Sequence, residues 1–255
     1  MMSAVRVEWW KLRRSRVALV ATILMGVLLP ALGLAFYSVA LNGGTGSLAD
    51  KAAALLVGEG WEGYLGLVDQ VAAVAVFLGA GVVVAWAFGR EHVDRTFPSL
   101  FALPVSRRAI AGAKFAVLAG WVLFLAVAIC LVALILGVTG GVGPYEVEVV
   151  ASGLGRLLAI CIGAGLLSLT MGLVASVGRG YLPAIGALIV LVAAAQVSVL
   201  FGTGGWFPFA VPGLMAVAGA EGVPELNGAQ LALVPALGAT GIWATIWWWR
   251  KTEVV

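Results

Sequence analysis

The residues most able to do chemistry form one short cluster between two long apolar stretches. It contains Arg90, Glu91, His92, Asp94 and Arg95. Its carboxylates and imidazole are the groups that acid–base catalysis uses, and an integral-membrane enzyme would need such groups at one interface. His92 is the single histidine of the chain, so no multi-histidine metal site can form. We expect no metal site and no catalytic residue, and we look for another role for the cluster.

Nucleotide binding by a phosphate-binding loop is excluded by the sequence. No G-x-x-x-x-G-K-[ST] segment occurs in the chain. Lys114 follows Gly112 and Ala113, but it lacks the glycine spacing and the following Ser or Thr that cradle phosphates. The motifs of hydrolase nucleophiles and zinc peptidases are missing as well. If ATP drives this protein, a separate polypeptide must bind it.

The composition indicates which solvent surrounds the elements that carry these residues. Of the 255 residues, 62% are hydrophobic and only 11% are charged. A soluble domain carries roughly 25% charged residues, because its surface must be hydrated. The sequence therefore predicts an all-α integral membrane protein, with no nucleic acid as a partner.

Six apolar runs are long enough to cross a bilayer, which needs about 20 residues per helix. They cover residues 17–40, 66–88, 115–138, 157–177, 182–201 and 231–249. Together they predict a single transmembrane domain over residues 1–255. Val17–Ala40 is longer than the apolar region of a cleaved signal, so we expect it to be retained.

The distribution of Lys and Arg predicts the orientation. Thirteen of the 15 lie at the N-terminus, in the connections after the second and fourth runs, and at the C-terminus. Lys51 and Arg156 are the other two, and most acidic residues share their side. Cytoplasmic segments carry the excess of Lys and Arg. We therefore expect both termini in the cytoplasm.

Asp69 and Arg156 are the strongest functional candidates inside the membrane. Both are predicted near the outer ends of their spans, and their charges are opposite. Each side chain could reach the outer interface alone. Alternatively, the two could form an ion pair between helices that holds an outer gate.

Two amphipathic segments flank the spans. Residues 5–16 are predicted to form a helix on the inner membrane surface, where aromatic and basic side chains meet headgroups and anionic lipid. Its interfacial residues are Trp9, Trp10, Lys11, Arg13 and Arg14. Glu8 is expected to form only a weak, exposed pair with Lys11. Trp206–Ala220, broken by prolines, is expected to be a re-entrant or interfacial outer element.

The connection 89–114 is the longest basic one and contains a short apolar segment, Phe97–Leu103. Pro104 ends this segment, and Ser106 is placed to cap the next helix. Glu91 and Arg95, four residues apart, can brace the start of the segment. Its apolar face can enter the groove of a partner protein.

This connection resembles the permease subunits of type-2 ABC exporters, of the bacterial drug or antibiotic-peptide export type. The matching positions are Glu91, Thr96, Leu103, Pro104, Val105, Ser106, Arg107 and Lys114. The layout of basic entry helix, six spans and broken outer segment is similar too.

The resemblance implies a coupling helix that docks into a cytoplasmic ABC ATPase. The residues that would couple to the ATPase are Glu91, Arg95, Thr96, Phe97, Leu100, Phe101, Pro104 and Arg107. Two ATPase copies would bind ATP and Mg²⁺, and two permease chains, identical or homologous, would span the bacterial inner membrane. The cargo would be a lipophilic drug, an antibiotic peptide or a lipid. The alternatives are an ion-coupled or passive transporter, or a non-transporting sensor of the same fold.

Overall fold

A computed structural model describes residues 2–42, 47–94, 96, 105–220 and 222–251. Helices are the regular elements in these ranges. They are α1 (Met2–Arg13), α2 (Arg16–Ile23), a π-helical turn (Leu24–Leu28), α3 (Leu29–Leu41), α4 (Ser47–Leu55), α5 (Gly60–Val93), α6 (Arg107–Thr139), α7 (Val147–Ser168), α8 (Met171–Val177), α9 (Leu182–Leu200), a 3₁₀ turn (Gly204–Trp206), α10 (Val211–Ala216) and α11 (Gly228–Lys251).

Six stretches of the described chain are long and apolar enough to cross a membrane, which confirms the predicted fold class. They are Arg16–Leu41, Gly60–Val93, Arg107–Thr139, Val147–Val177, Leu182–Leu200 and Gly228–Lys251. The second and third spans extend beyond the apolar runs at their ends. The fourth begins at Val147 rather than at residue 157, because polar residues of its first turns did not count as apolar. The end of the bundle that carries α1, Arg107 and Lys251 is called the basic end below.

The N-terminal helix is separated from the first span by a break at Arg14 and Ser15, called the elbow below. α1 ends at Arg13, not at residue 16 as predicted. Ser15 explains the difference, because its hydroxyl accepts a hydrogen bond from the Ala18 N–H and caps α2. Leu12 faces inward, whereas Trp9 and Trp10 are exposed.

The first span contains a widened turn. Residues Leu24–Leu28 are π-helical, and the Leu29 N–H bonds to the Leu24 carbonyl five residues back. Pro30 follows immediately and has no N–H to donate, which favours such a bulge. Trp121 of α6 donates to the Thr22 hydroxyl at 2.9 Å and fixes the span just before this turn.

The second span, α5, is the centre of the bundle. Its 34 residues give it a length of about 50 Å. It packs most extensively on α7 and also contacts α3, α8, α9 and α10. The other spans turn apolar side chains such as Leu123, Phe124, Ile189 and Val190 outward. Large exposed apolar faces of this kind suit a protein surrounded by lipid.

The fourth span is interrupted, which the sequence analysis did not predict. α7 ends at Ser168 and α8 begins at Met171. The Ser168 hydroxyl donates to the Gly165 carbonyl and the Thr170 hydroxyl donates to the Leu167 carbonyl, both at 2.6 Å. Such local bonds compete with the helical ladder. The break lets α8 turn toward α11, where Trp249 donates to the Ser176 hydroxyl at 2.8 Å.

Two short helices, α4 and α10, lie at the end opposite the basic end, and the sequence analysis predicts only the second as part of an outer element. α4 was not predicted at all. α10 falls inside the expected outer element and packs on α5 and α7. Phe209, just before α10, contacts Phe77 with ring centroids 5.4 Å apart. Phe77 lies half-way along α5, so this contact favours a re-entrant element over an interfacial one.

Candidate functional site

A cluster of four charged side chains joins three helices at the basic end. Glu8 comes from α1, Glu91 from the last turn of α5, and Lys114 from the second turn of α6. The Lys114 ammonium lies 2.8 Å from Glu91 Oε1 and 3.1 Å from Glu8 Oε2. It also donates to the Ala87 carbonyl at 2.9 Å. Lys114 therefore has three acceptors, which satisfy all its N–H donors.

Lys11 closes the cluster from the side of the solvent. Its ammonium lies 2.7 Å from Glu8 Oε1 and 3.1 Å from Glu91 Oε1. Burial lowers the pKa of Lys11, but the charges and hydrogen bonds of Glu8 and Glu91 outweigh burial and leave that pKa raised. Two cations and two anions alternate, and the cluster is neutral as a whole.

The cluster is buried, so its contribution to stability depends on whether the ion pairs compensate for the lost hydration of the charges. Lys114 is 2% exposed, Glu91 is 3% exposed and Glu8 is 8% exposed. Removing charges from water is costly, and only close geometry with several hydrogen bonds compensates for that cost. Breaking one member leaves the others uncompensated, so the three helix ends are held together as one unit.

Local sequence explains why these groups meet. Glu8 and Lys11 lie three residues apart, on the face of α1 that also buries Leu12. Ala87 and Glu91 lie four residues apart on α5. Lys114 occupies the stripe of α6 that buries Ile110, Leu118 and Trp121. A lysine on such an apolar stripe was the signal that could have identified it as buried.

The structure changes one expectation about this region. Glu8 was expected to form a weak, exposed pair, but it is buried and bridges Lys11 and Lys114. Glu91 was expected to pair with Arg95, which lies outside the described residues. The partners found for Glu91 are Lys11 and Lys114, which are 80 and 23 residues away in the sequence.

Both flanks of the connection between α5 and α6 make hydrogen bonds in the part that the structure describes. The Thr96 N–H donates to the Glu91 carbonyl at 3.0 Å, so the chain folds back over the end of α5. Ser106 caps α6 as expected, because its hydroxyl accepts from the Ala109 N–H at 3.3 Å, and Arg107 is the first residue of that helix. Five further candidates lie outside the described residues: Arg95, Phe97, Leu100, Phe101 and Pro104.

The interfacial residues of α1 and the adjoining Arg14 point in two directions. Lys11 turns inward to the charge cluster. Trp9, Trp10, Arg13 and Arg14 are exposed, and the Arg14 guanidinium lies over the Trp10 ring at 4.5 Å. One face of α1 thus contacts the bundle while the other presents aromatic and basic groups.

Asp69 and Arg156 meet between α5 and α7. Arg156 Nε lies 2.6 Å from Asp69 Oδ2, and Asp69 is completely buried. Each residue is nine positions inside its helix, about 13 Å from the first residue. Both helices begin earlier than the apolar runs, so the pair lies farther from the helix starts than the apolar runs indicate. The expectation that both residues lie near the outer ends of their spans in the membrane stays a prediction. A role of the pair as an outer gate stays a prediction.

Comparison with protein families assigns this architecture. The family model described as ABC-2 family transporter protein matches residues 4–195. The chain belongs to the ABC-2 transporter family. The matched region includes α1 from residue 4 onward, the charge cluster and the Asp69–Arg156 pair, so the resemblance to type-2 ABC permeases is confirmed. A comparison with curated proteins gave no match.

Family membership makes the chain a membrane permease of an ABC transporter. Members of this family are usually non-catalytic, multi-pass membrane components that work with an ABC ATPase in a membrane complex. In such a permease the charge cluster lies beside the connection between α5 and α6, because it joins the two helices on either side of residues 95–104 to the N-terminal helix.

Proposed function

We propose that this permease forms the membrane pathway of an ATP-driven exporter in a bacterial inner membrane. Two permease chains, identical or homologous, work with two copies of a separate ATPase, which binds ATP and Mg²⁺. Both termini face the cytoplasm, and the cargo moves outward by alternating access. The cargo class is a lipophilic drug, an antibiotic peptide or a lipid.

The buried charge cluster is the observation that carries the proposal. Residues 95–104, which contain the proposed coupling helix, connect α5 to α6. Glu91 and Lys114 bind each other on the two sides of that connection, at 2.8 Å. A push from the ATPase on the connection therefore reaches α5 and α6 together. Through Glu8 and Lys11 it also reaches α1, which moves with them as one body.

The opposite end supplies a second contact that export would have to change. Asp69 and Arg156 join α5 to α7. Since α5 carries Glu91 at one end and Asp69 toward the other, a displacement of this helix links the coupling region to the outer half of the bundle. We propose that the ion pair holds the outer gate closed and weakens when cargo leaves.

The cargo class rests on the lining of one pocket. A pocket of about 360 Å³ lies between α5, α9 and α10. Phe77, Val192 and Phe209 line it together with the amides of Gln70 and Gln196. Mostly apolar walls with a few polar groups favour a lipophilic ligand.

The test is reconstitution with an ATPase whose gene adjoins the permease gene. The expected result is a stable complex that hydrolyses ATP and exports lipophilic dyes from proteoliposomes. The permease purified alone is expected to show no hydrolysis above an empty-membrane control. Transport driven by an ion gradient without ATP would instead support the ion-coupled alternative, and hydrolysis without transport would support a sensor.

A further inference from the structure

An open apolar groove runs along the bundle between the first span and α5. Its volume is about 650 Å³. From the first span it is lined by Val20, Leu24 and Leu28, each of which is about half exposed. Gly79 forms part of its floor, and a Cβ there would collide with the Met25 sulfur. The groove is an open apolar cleft beside the π-helical turn.

The groove ends in a basic pocket at the elbow between α1 and α2. This pocket has a volume of about 730 Å³ and shares Arg16 and Val17 with the groove. Its basic lining residues are Arg6, Lys11, Arg14, Arg16 and Arg90. Trp10 and Trp86 form its aromatic walls.

Groove and pocket are one continuous feature, because a single stripe of α5 lines both. Val71, Ala75, Gly79 and Val82 line the groove, and Trp86 and Arg90 line the pocket. Their spacings of three and four residues place all six on one face of the helix. Along this face the surface changes once, from apolar within the membrane to cationic at its edge.

Most of the cations in the pocket are available to a ligand. No acidic side chain among the described residues forms an ion pair with Arg6, Arg14 or Arg16. Arg90 has only a distant contact with Asp94, at 3.9 Å. Stacking fixes two guanidinium groups at the rim: Arg14 lies 4.5 Å above Trp10, and Arg90 lies 4.7 Å above Trp86. Oriented guanidinium groups without carboxylate partners are suited to a phosphate.

We propose that this feature binds one anionic phospholipid. Its phosphate lies between Arg14, Arg16 and Arg90, and one acyl chain follows the groove beside Val20, Leu24 and Gly79. The lipid thereby fills the space between the first span and α5, next to the elbow of α1. The site requires neither ATP nor cargo, so it is independent of the proposed export function.

The positive charge of the pocket favours an anionic lipid over a second permease chain as the occupant of the groove. Both chains of a symmetric pair have the same orientation in the membrane, so their basic pockets would lie at the same depth. If the groove seated a second copy, two sets of arginines would approach each other. Like charges brought together are destabilising, whereas an anionic headgroup neutralises them.

The test is native mass spectrometry of the full-length chain, titrated with dioleoyl-phosphatidylglycerol or with dioleoyl-phosphatidylcholine. The expected result is retention of one phosphatidylglycerol in preference to phosphatidylcholine. The double variant Arg14→Gln/Arg16→Gln should lower the affinity for phosphatidylglycerol about 25-fold, or about fivefold for each charge removed. Arg108→Gln/Arg250→Gln removes two exposed charges outside the pocket and should leave the affinity unchanged.

A second pair of variants tests the acyl chain. Val20→Trp fills the groove and should reduce phosphatidylglycerol retention, whereas Val190→Trp enlarges an exposed residue of α9 and should not. Size-exclusion chromatography first verifies that each variant is folded and monodisperse.

Three results would overturn the proposal. They are equal retention of both lipids, full displacement of phosphatidylglycerol by free glycerol phosphate, and dissociation of a permease dimer by Val20→Trp with unchanged lipid retention. The last result would show that the groove holds a second copy.

Discussion

Lys114 is the most deeply buried of the charged residues in the cluster. Its ammonium is buried and is surrounded by Glu8, Glu91 and the Ala87 carbonyl. Lys114→Met removes the cation but keeps an apolar stem of similar length. Because Glu8 and Glu91 would then share only Lys11, we expect a loss of about 3–5 kcal/mol in the free energy of unfolding. Thermal unfolding in detergent, measured by intrinsic fluorescence, gives the change.

A second substitution distinguishes charge imbalance from lost packing. Glu91→Gln in the Lys114→Met background removes one uncompensated carboxylate, so the double variant should be more stable than Lys114→Met alone. Arg108→Gln, on the exposed side of α6, serves as the control and should be nearly neutral. If Lys114→Met is as mild as that control, the cluster does not hold the three helices together.

The Asp69–Arg156 contact makes a separate prediction. Asp69→Asn and Arg156→Gln should each destabilise the protein, since each leaves a charge within the bundle without its partner. The double variant should be milder than the sum of the two, with a coupling energy of about 0.5–3 kcal/mol. Unfolding of the four proteins in a double-mutant cycle measures this value. Strictly additive losses would mean that the pair does not form in the membrane.

At this scale the sequence identified residues better than it identified contacts. The sequence alone points to Asp69, Arg156, Glu91 and Lys114. The sequence analysis offers the Asp69–Arg156 pair as an alternative but does not predict the contact between Glu8 and Lys114, which are 106 residues apart. Local periodicity carries no information about such distant partners. A charged residue on a stripe that is otherwise buried indicates that a partner exists, but it does not say which one.

At the scale of elements, α5 must approach the turn between α8 and α9 very closely. A Cβ at Gly89 would lie 2.5 Å from the Tyr181 nitrogen and 2.6 Å from the Gly180 carbonyl carbon. These are backbone atoms and cannot rotate away. We therefore expect Gly89→Ala to destabilise the permease by about 1–3 kcal/mol, as measured by thermal unfolding.

Gly120 provides a matched control on α6. It lies within a helix as Gly89 does, but a Cβ there would meet no atom of the described chain within 4 Å. Gly120→Ala should be neutral or stabilising by up to about 1 kcal/mol, because alanine favours the helix. If the two variants behave alike, the close approach of α5 to Gly180 and Tyr181 is not real.

The spans were predictable as elements, while their ends and breaks were not. The five-residue excess of α5 beyond Phe88 contains Arg90, Glu91 and His92, which hydropathy assigns to a loop. The helix continues through these residues instead, and Glu91 joins the charge cluster. Local hydrogen bonds produce the break at Ser168 and Thr170 and the π-helical turn near Pro30. Hydropathy averaged over a span does not reveal such features.

At the scale of the whole molecule, the charge distribution predicts the topology. Thirteen of the 15 Lys and Arg residues belong to segments assigned to the cytoplasm, and cytoplasmic segments attract such an excess. Reporter fusions at Met1 and Val255 should therefore report a cytoplasmic location. A reporter inserted at Gly143, in the turn between α6 and α7, should be external. An external C-terminus would require an odd number of spans.

The central claim is that residues 89–114 transmit the energy of a separate ATPase to this permease. The most direct measurement compares wild type with Phe101→Asp for ATPase co-purification and for ATP-driven export in proteoliposomes. Phe101 belongs to the proposed docking face, and a carboxylate there would enter an apolar groove of the partner at a cost of several kcal/mol. We predict that Phe101→Asp inserts normally but releases the ATPase or separates hydrolysis from export, while Arg108→Gln does neither. A Phe101→Asp permease that keeps its ATPase and exports at the normal rate would contradict the account.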